Sequence, residues 1–207
     1  MQPRPSAPDE EEAVLPFAAP PETIPMATEF RSTLIVASLQ SLREHGHYER
    51  YGHILQTRRD EILSCVGGTW LPMAIARAHY EACDALGLTL RQQFEMGHAV
   101  GDRARKSWFA SALKVARGVG VTPWSLAPYL DRLHQRTINA GAVAAFRLGP
   151  KEARIVYVGN ELLDIPYFHE ASRGLLHAIA EMFCEKMYSH ELPGRQSGGA
   201  SFRLQWA

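Results

Sequence analysis

The sequence predicts an α+β domain, a helical N-terminal part followed by a ββαββ unit forming an antiparallel sheet. Three observations predict it. Ala200, Phe202, Leu204 and Trp206 alternate with Ser201, Arg203 and Gln205, the period of two of a strand with one buried and one wet face. Gly149-Pro150-Lys151 separates two short apolar runs, Ala142–Leu148 and Ala153–Val158, as a hairpin loop does. Upstream of Asn139 the apolar residues instead recur three and four apart, the period of helices.

Residues 1–26 hold seven of the 13 prolines, five acids and one basic residue. Such a stretch buries too little apolar surface to offset its ordering entropy, so 1–26 is expected to be a disordered, acidic, Pro-rich arm. Residues 27–207 then form a single α+β domain with 21 basic and 17 acidic residues. A short strand is expected around Phe30–Leu34, then helices over Leu34–Glu44 and Tyr48–Leu55 with a turn at Gly46. Gly67-Gly68 breaks the chain before Pro72, a good first residue of a helix because its missing N–H would be unpaired there anyway. On that helix Ile75, Ala78, Ala82 and Leu86 share a face, and Gly87 ends it. Thr89 with Gln92 has capping-box form. The helix it starts puts Leu90, Phe94, Gly97 and Gly101 on one stripe. Each glycine costs about 1 kcal/mol of helix stability against alanine, so the pair predicts the close approach of another backbone.

A further helix is expected over about Ser107–Arg117, and another from Thr122-Pro123 with a disturbance at Pro128. After the hairpin, a helix from about His169 to Lys186 carries Leu175, Leu176, Ile179 and Phe183 inward. Tyr188, His190 and Leu192 form the strand that Gly194–Gly199 returns to the last one.

Composition excludes several classes. The 207 residues are 46% hydrophobic and 21% charged, enough for one domain core and too few for two roomy ones. Formal charge is zero, with 22 basic and 22 acidic residues, so no global field favours nucleic acid or anionic membrane. The longest uncharged stretch, Ile62–Ala76, falls short of the roughly 20 apolar residues of a membrane span. Cys65, Cys83 and Cys184 are odd in number and far apart, neither a disulfide framework nor a metal ribbon, which points to the cytoplasm.

Four constellations can carry chemistry. Glu44-His45-Gly46-His47, with Tyr51 and His53 nearby, resembles a metal chelate only loosely, and a polar turn without metal is expected. His79 and His98 border the apolar stripes of neighbouring helices. They either line a polar pocket together or are separately satisfied core histidines. Arg103, Lys106, Lys114 and Arg117, with Arg105, form a basic stripe read as a solvated face rather than a nucleic-acid site. His169, Arg173, His177 and Glu181 are spaced four apart along the late helix with Cys184 near the same face, and read as a polar helix surface. Phosphate-loop, dinucleotide, nucleophile-elbow and zincin motifs are absent from the sequence.

The strings Gly149-Pro150-Lys151-Glu152-Ala153-Arg154, Ile165-Pro166-Tyr167-Phe168, Arg173-Gly174 and Ser201–Trp206, with Trp70-Leu71-Pro72, His79-Tyr80 and Thr122-Pro123-Trp124, resemble an uncharacterised paralogous family of myxobacterial proteins. The order of helices followed by ββαββ is similar, more loosely, to the ligand-binding fold of haem nitric-oxide sensors and four-vinyl-reductase-like domains. That resemblance implies a module that binds a small molecule or a partner. The sensors' Tyr-x-Ser-x-Arg haem clamp has as its nearest string Tyr129-Leu130-Asp131-Arg132, which lacks the serine and the spacing. No cofactor is expected, neither haem nor zinc.

The expected function is a cytoplasmic, non-catalytic small-ligand-binding or regulatory signalling module. His79, His98, Trp108 and Tyr167 are the candidate ligand-binding residues, and Trp70, Tyr80 and Phe94 are further pocket walls. The partner is a small apolar ligand or a protein, with no nucleic acid and no membrane, and the oligomeric state is open between monomer and homodimer. Two alternatives stand beside it. One is an enzyme using His79, His98 or Cys184. The other is an interaction protein that uses the acidic arm or an exposed strand edge.

Overall fold

In chain order the elements are β1 (Glu12–Leu15), β2 (Glu29–Arg31), α1 (Ser32–Glu44), α2 (Tyr48–Ile54), α3 (Arg59–Leu63), β3 (Trp70–Pro72), α4 (Met73–Asp84), α5 (Leu90–Ala104), α6 (Ala127–Thr137), β4 (Ala142–Gly149), β5 (Glu152–Val158), α7 (Pro166–Ala180), β6 (Met187–Glu191) and β7 (Ala200–Trp206). They are those of a computed structural model that describes residues 11–104, 122–194 and 196–207. Five strands form an antiparallel sheet in the order β1-β4-β5-β7-β6, and β2 pairs with β3 in a small second sheet. The expected α+β class and its ββαββ back half are those observed. Among the described residues no helix is long and apolar enough to cross a membrane.

The alternation in β7 does what its period requires: Ala200, Phe202, Leu204 and Trp206 are all buried. On β6 the inward residues are Met187 and Ser189, while Tyr188 is exposed. The strand expected around Phe30–Leu34 ends at Arg31, because Ser32 already starts α1. Its hydroxyl donates to Val66 O at 2.7 Å and accepts from the Thr69 amide at 2.9 Å. The late helix begins earlier than expected, with Pro166 in its first turn. A carboxylate from α4 serves its N-terminus, as the Tyr167 amide donates to Asp84 Oδ1 at 2.9 Å. It closes in a 3-10 turn over Glu181–Phe183.

Of the arm expected over 1–26, the described part begins at residue 11 and contains a strand. Glu12–Leu15 adds β1 to the sheet edge opposite β4, with Val14 and Leu15 packed against the core. Glu12 pairs with Arg147 and Glu11 with Arg154. Glu11 and Glu12 therefore meet cations on the strands, and Val14 and Leu15 are partly covered by the core.

The two glycines of α5 have the predicted consequence. A Cβ at Gly97 would lie 1.8 Å from Ala171 O, and one at Gly101 would lie 2.7 Å from the Ala178 Cβ. Gly174 on α7 reciprocates, with Phe94 O at 2.1 Å from its hypothetical Cβ. Helices α5 and α7 thus touch backbone to backbone, and the side chains flanking the glycines are forced into the seam's rims.

Candidate functional site

A cavity of about 350 Å³ lies between α1, α5, α6, α7 and β5. That is within the range of small-molecule sites. Its walls are mainly aliphatic, including Leu34 and Ala37 of α1, Val100 of α5, Leu133 of α6 and Leu175 of α7. Polar groups are few, and the informative ones are His134, Arg103 and Gln40. His134 is buried, and its Nε2–H donates to Ala140 O at 3.0 Å. Burial holds this imidazole below its ordinary pKa, against the opposing pull of the Ala140 carbonyl. It is therefore neutral at pH 7, with Nδ1 carrying the lone pair. Arg103 donates to Ala37 O at 3.1 Å and pairs with Glu44, so this member of the basic stripe is anchored across the α1–α5 interface. Arg105, Lys106, Lys114, Arg117 and Trp108 lie outside the described residues.

Of the expected pocket residues, the described ones, His79, His98 and Tyr167, do not line this cavity. His79 is fully buried behind α1, where Tyr51 Oη donates to its Nδ1 at 2.5 Å and its Nε2–H donates to Ser38 Oγ at 3.0 Å. Burial pushes His79 down to about 3. Tyr167 is buried beside a smaller cavity of about 40 Å³ that it shares with Ser38 and Tyr80. His98 lies on the outer rim of the α5–α7 seam, where its Nε2 is 3.1 Å from Glu181 Oε2. His79 and His98 thus belong to different environments, and neither lines the large cavity. Burial raises the Cys184 thiol pKa, with Glu181 adding to it, the opposite of an activated thiolate. Sequence reasoning passed over His134. The available signal was its place four residues after Leu130, on the buried face of α6.

No protein-family model and no curated protein matches the chain. Solved structures do. One is an Fe(II) unliganded H-NOX protein from K. algicida, at TM-score 0.62 and 9% identity, covering 86% of this chain and 96% of that one. A second is an oxygen-binding H-NOX domain related to soluble guanylate cyclases, at TM-score 0.58 and 13% identity, covering 85% and 94%. A third comes from work on haem distortion in the H-NOX family, at TM-score 0.57 and 15% identity, covering 85% and 94%. The chain therefore has the H-NOX fold. At these identities the likeness establishes the fold and no more, and it matches the looser of the two sequence resemblances.

This corrects the expectation that haem has no place here, because solved structures of this fold come from work on haem redox potential and on haem distortion. The cavity residues fit such a group. Its walls are apolar, a neutral buried imidazole with one ring nitrogen engaged lines it, and Arg103, paired with Glu44, borders it. The string nearest the sensors' clamp instead lies on α6, where Tyr129 is exposed and Leu130 lines the cavity.

Proposed function

We propose that this domain is a small-ligand sensor whose cavity holds a flat apolar prosthetic group of the haem class, with His134 as the protein ligand to its iron. One observation carries the reading: among the described residues, the aliphatic cavity of about 350 Å³ has a single imidazole in its wall, and burial keeps it neutral. A neutral imidazole is the form that ligates a metal, and a carbonyl accepting from its other nitrogen orients the ring and raises its basicity. Ala140 O supplies that partner. Leu34, Val100, Leu133 and Leu175 exclude water from the bound faces, while Arg103 and Gln40, both engaged with Glu44, would exchange that partner for the carboxylate edge. Bound there, the iron would supply a coordination position for a small gas molecule.

Titration of the purified chain with haemin tests this. The expected result is uptake of one equivalent with a sharp, shifted Soret band, and His134→Ala is expected to change the band or abolish uptake. Absence of stoichiometric uptake, or a spectrum indifferent to His134→Ala, would overturn it.

A further inference from the structure

The α5–α7 seam assembles a second constellation, from residues distant in the chain and separate from the cavity. Backbone contact at Gly97 and Gly174 brings the rings of His98 and His177 to 5.8 Å between centroids. Glu181, the first residue after α7, completes the group. One potential ligand atom from each of His98, His177 and Glu181 lies within 4.8 Å of the others. We propose that these three side chains bind a zinc ion, leaving a fourth position to water.

The chemistry of the donor set selects the ion. Two imidazoles and one carboxylate suit zinc and its transition-metal neighbours, whereas magnesium and calcium prefer all-oxygen shells. In a tetrahedral site with metal–ligand distances of about 2.0–2.1 Å, ligand atoms sit roughly 3.3 Å apart. The 3.1 Å between His98 Nε2 and Glu181 Oε2 already matches, and the other ligand-atom separations are within 4.8 Å.

Each histidine also has a partner for its other nitrogen. Ser189 Oγ lies 3.0 Å from His177 Nδ1, and Asp102 Oδ2 lies 3.7 Å from His98 Nδ1. Ser189 accepts the His177 Nδ1 proton and Asp102 faces His98 Nδ1 at ion-pair distance, so both Nε2 lone pairs are left for the ion, the arrangement typical of zinc histidines. Ser189 is buried on β6, so the orienting group is rigid. The nearby cation, Arg173, is paired with Glu170 and stacked 4.5 Å over Phe94, so its charge is compensated before an ion arrives. Glu181 is about half exposed and gives the ion an entry path.

The test uses the full chain, stripped with a chelator, and competes it for zinc against a chromophoric chelator near neutral pH. Cobalt(II) absorption provides a second readout. Expected are one tight equivalent and an intense, low-symmetry cobalt spectrum. Glu181→Gln and His98→Asn are each expected to weaken binding by at least about tenfold. His190→Asn, at an exposed position on β6, is the control expected to leave binding unchanged. Circular dichroism on every variant confirms that the fold is retained. Lack of a stoichiometric equivalent, or wild-type affinity in Glu181→Gln and His98→Asn, would overturn the proposal. No haemin is present in this assay, so its outcome is independent of the cavity reading.

Discussion

Gly97 faces Ala171 so closely that a Cβ on the glycine would stand 1.8 Å from the alanine's carbonyl oxygen. Backbone cannot retreat as the tip of a flexible side chain can, so any larger residue forces α5 and α7 apart. The seam they form carries both the cavity wall at Val100 and Leu175 and the cluster at His98 and His177.

Gly97→Ala is therefore expected to destabilise the fold by about 3 kcal/mol, the upper end for overpacking, despite the gain in helix propensity. Gly67→Ala, with open space around it, is expected to stay within roughly 0.5 kcal/mol of wild type. Urea unfolding of both variants measures the contrast, and equal stabilities would refute the close contact.

Acid sensitivity should centre on His79. Burial pushes its folded pKa down to about 3, while an unfolded histidine titrates near 6.5. The unfolded chain therefore binds a proton that the folded chain refuses, and stability is lost as pH falls through the window from about 6.5 to 3. Over the first two pH units of that fall the loss is about 3 kcal/mol. His134 and His177 shift in the same direction and add to the slope. His79→Gln should flatten it, as read from urea midpoints against pH. Tyr51→Phe removes the hydroxyl that donates to His79 Nδ1, and should cost about 1–3 kcal/mol near neutrality by leaving that nitrogen unpaired in the core.

Filling the cavity separates ligand binding from folding. Ala37 lines it from α1 and is only partly buried, so Ala37→Trp should occupy the space and block haemin uptake. The thermal midpoint should move by no more than a few degrees. Unchanged uptake with a filled cavity would move the binding site elsewhere.

Several features were legible because short-range physics sets them. The β7 alternation follows from one wet and one dry face, and the Gly149–Lys151 turn follows from its loop chemistry. The Gly97–Gly101 stripe announced a close helix contact because no other use offsets two glycines in mid-helix. The strand at Glu12–Leu15 was not legible because the average composition of 1–26 hides Val14 and Leu15, whose burial depends on a sheet edge some 130 residues downstream. Sequence adjacency likewise left open whether His79 and His98 share a pocket, since consecutive amphipathic helices commonly share an interior. In the structure His98 turns to α7 instead.

The sequence by itself determined the class, the hairpin, the buried set of β7 and the need for a backbone-to-backbone contact, all of which are written in periods of two and near 3.6. Only the tertiary structure decided which helix meets Gly97, which imidazole lines the cavity, and which histidine stands beside Glu181. Periodicity states which face of a helix is buried, but the partner and the register of that face depend on packing among elements distant in the chain.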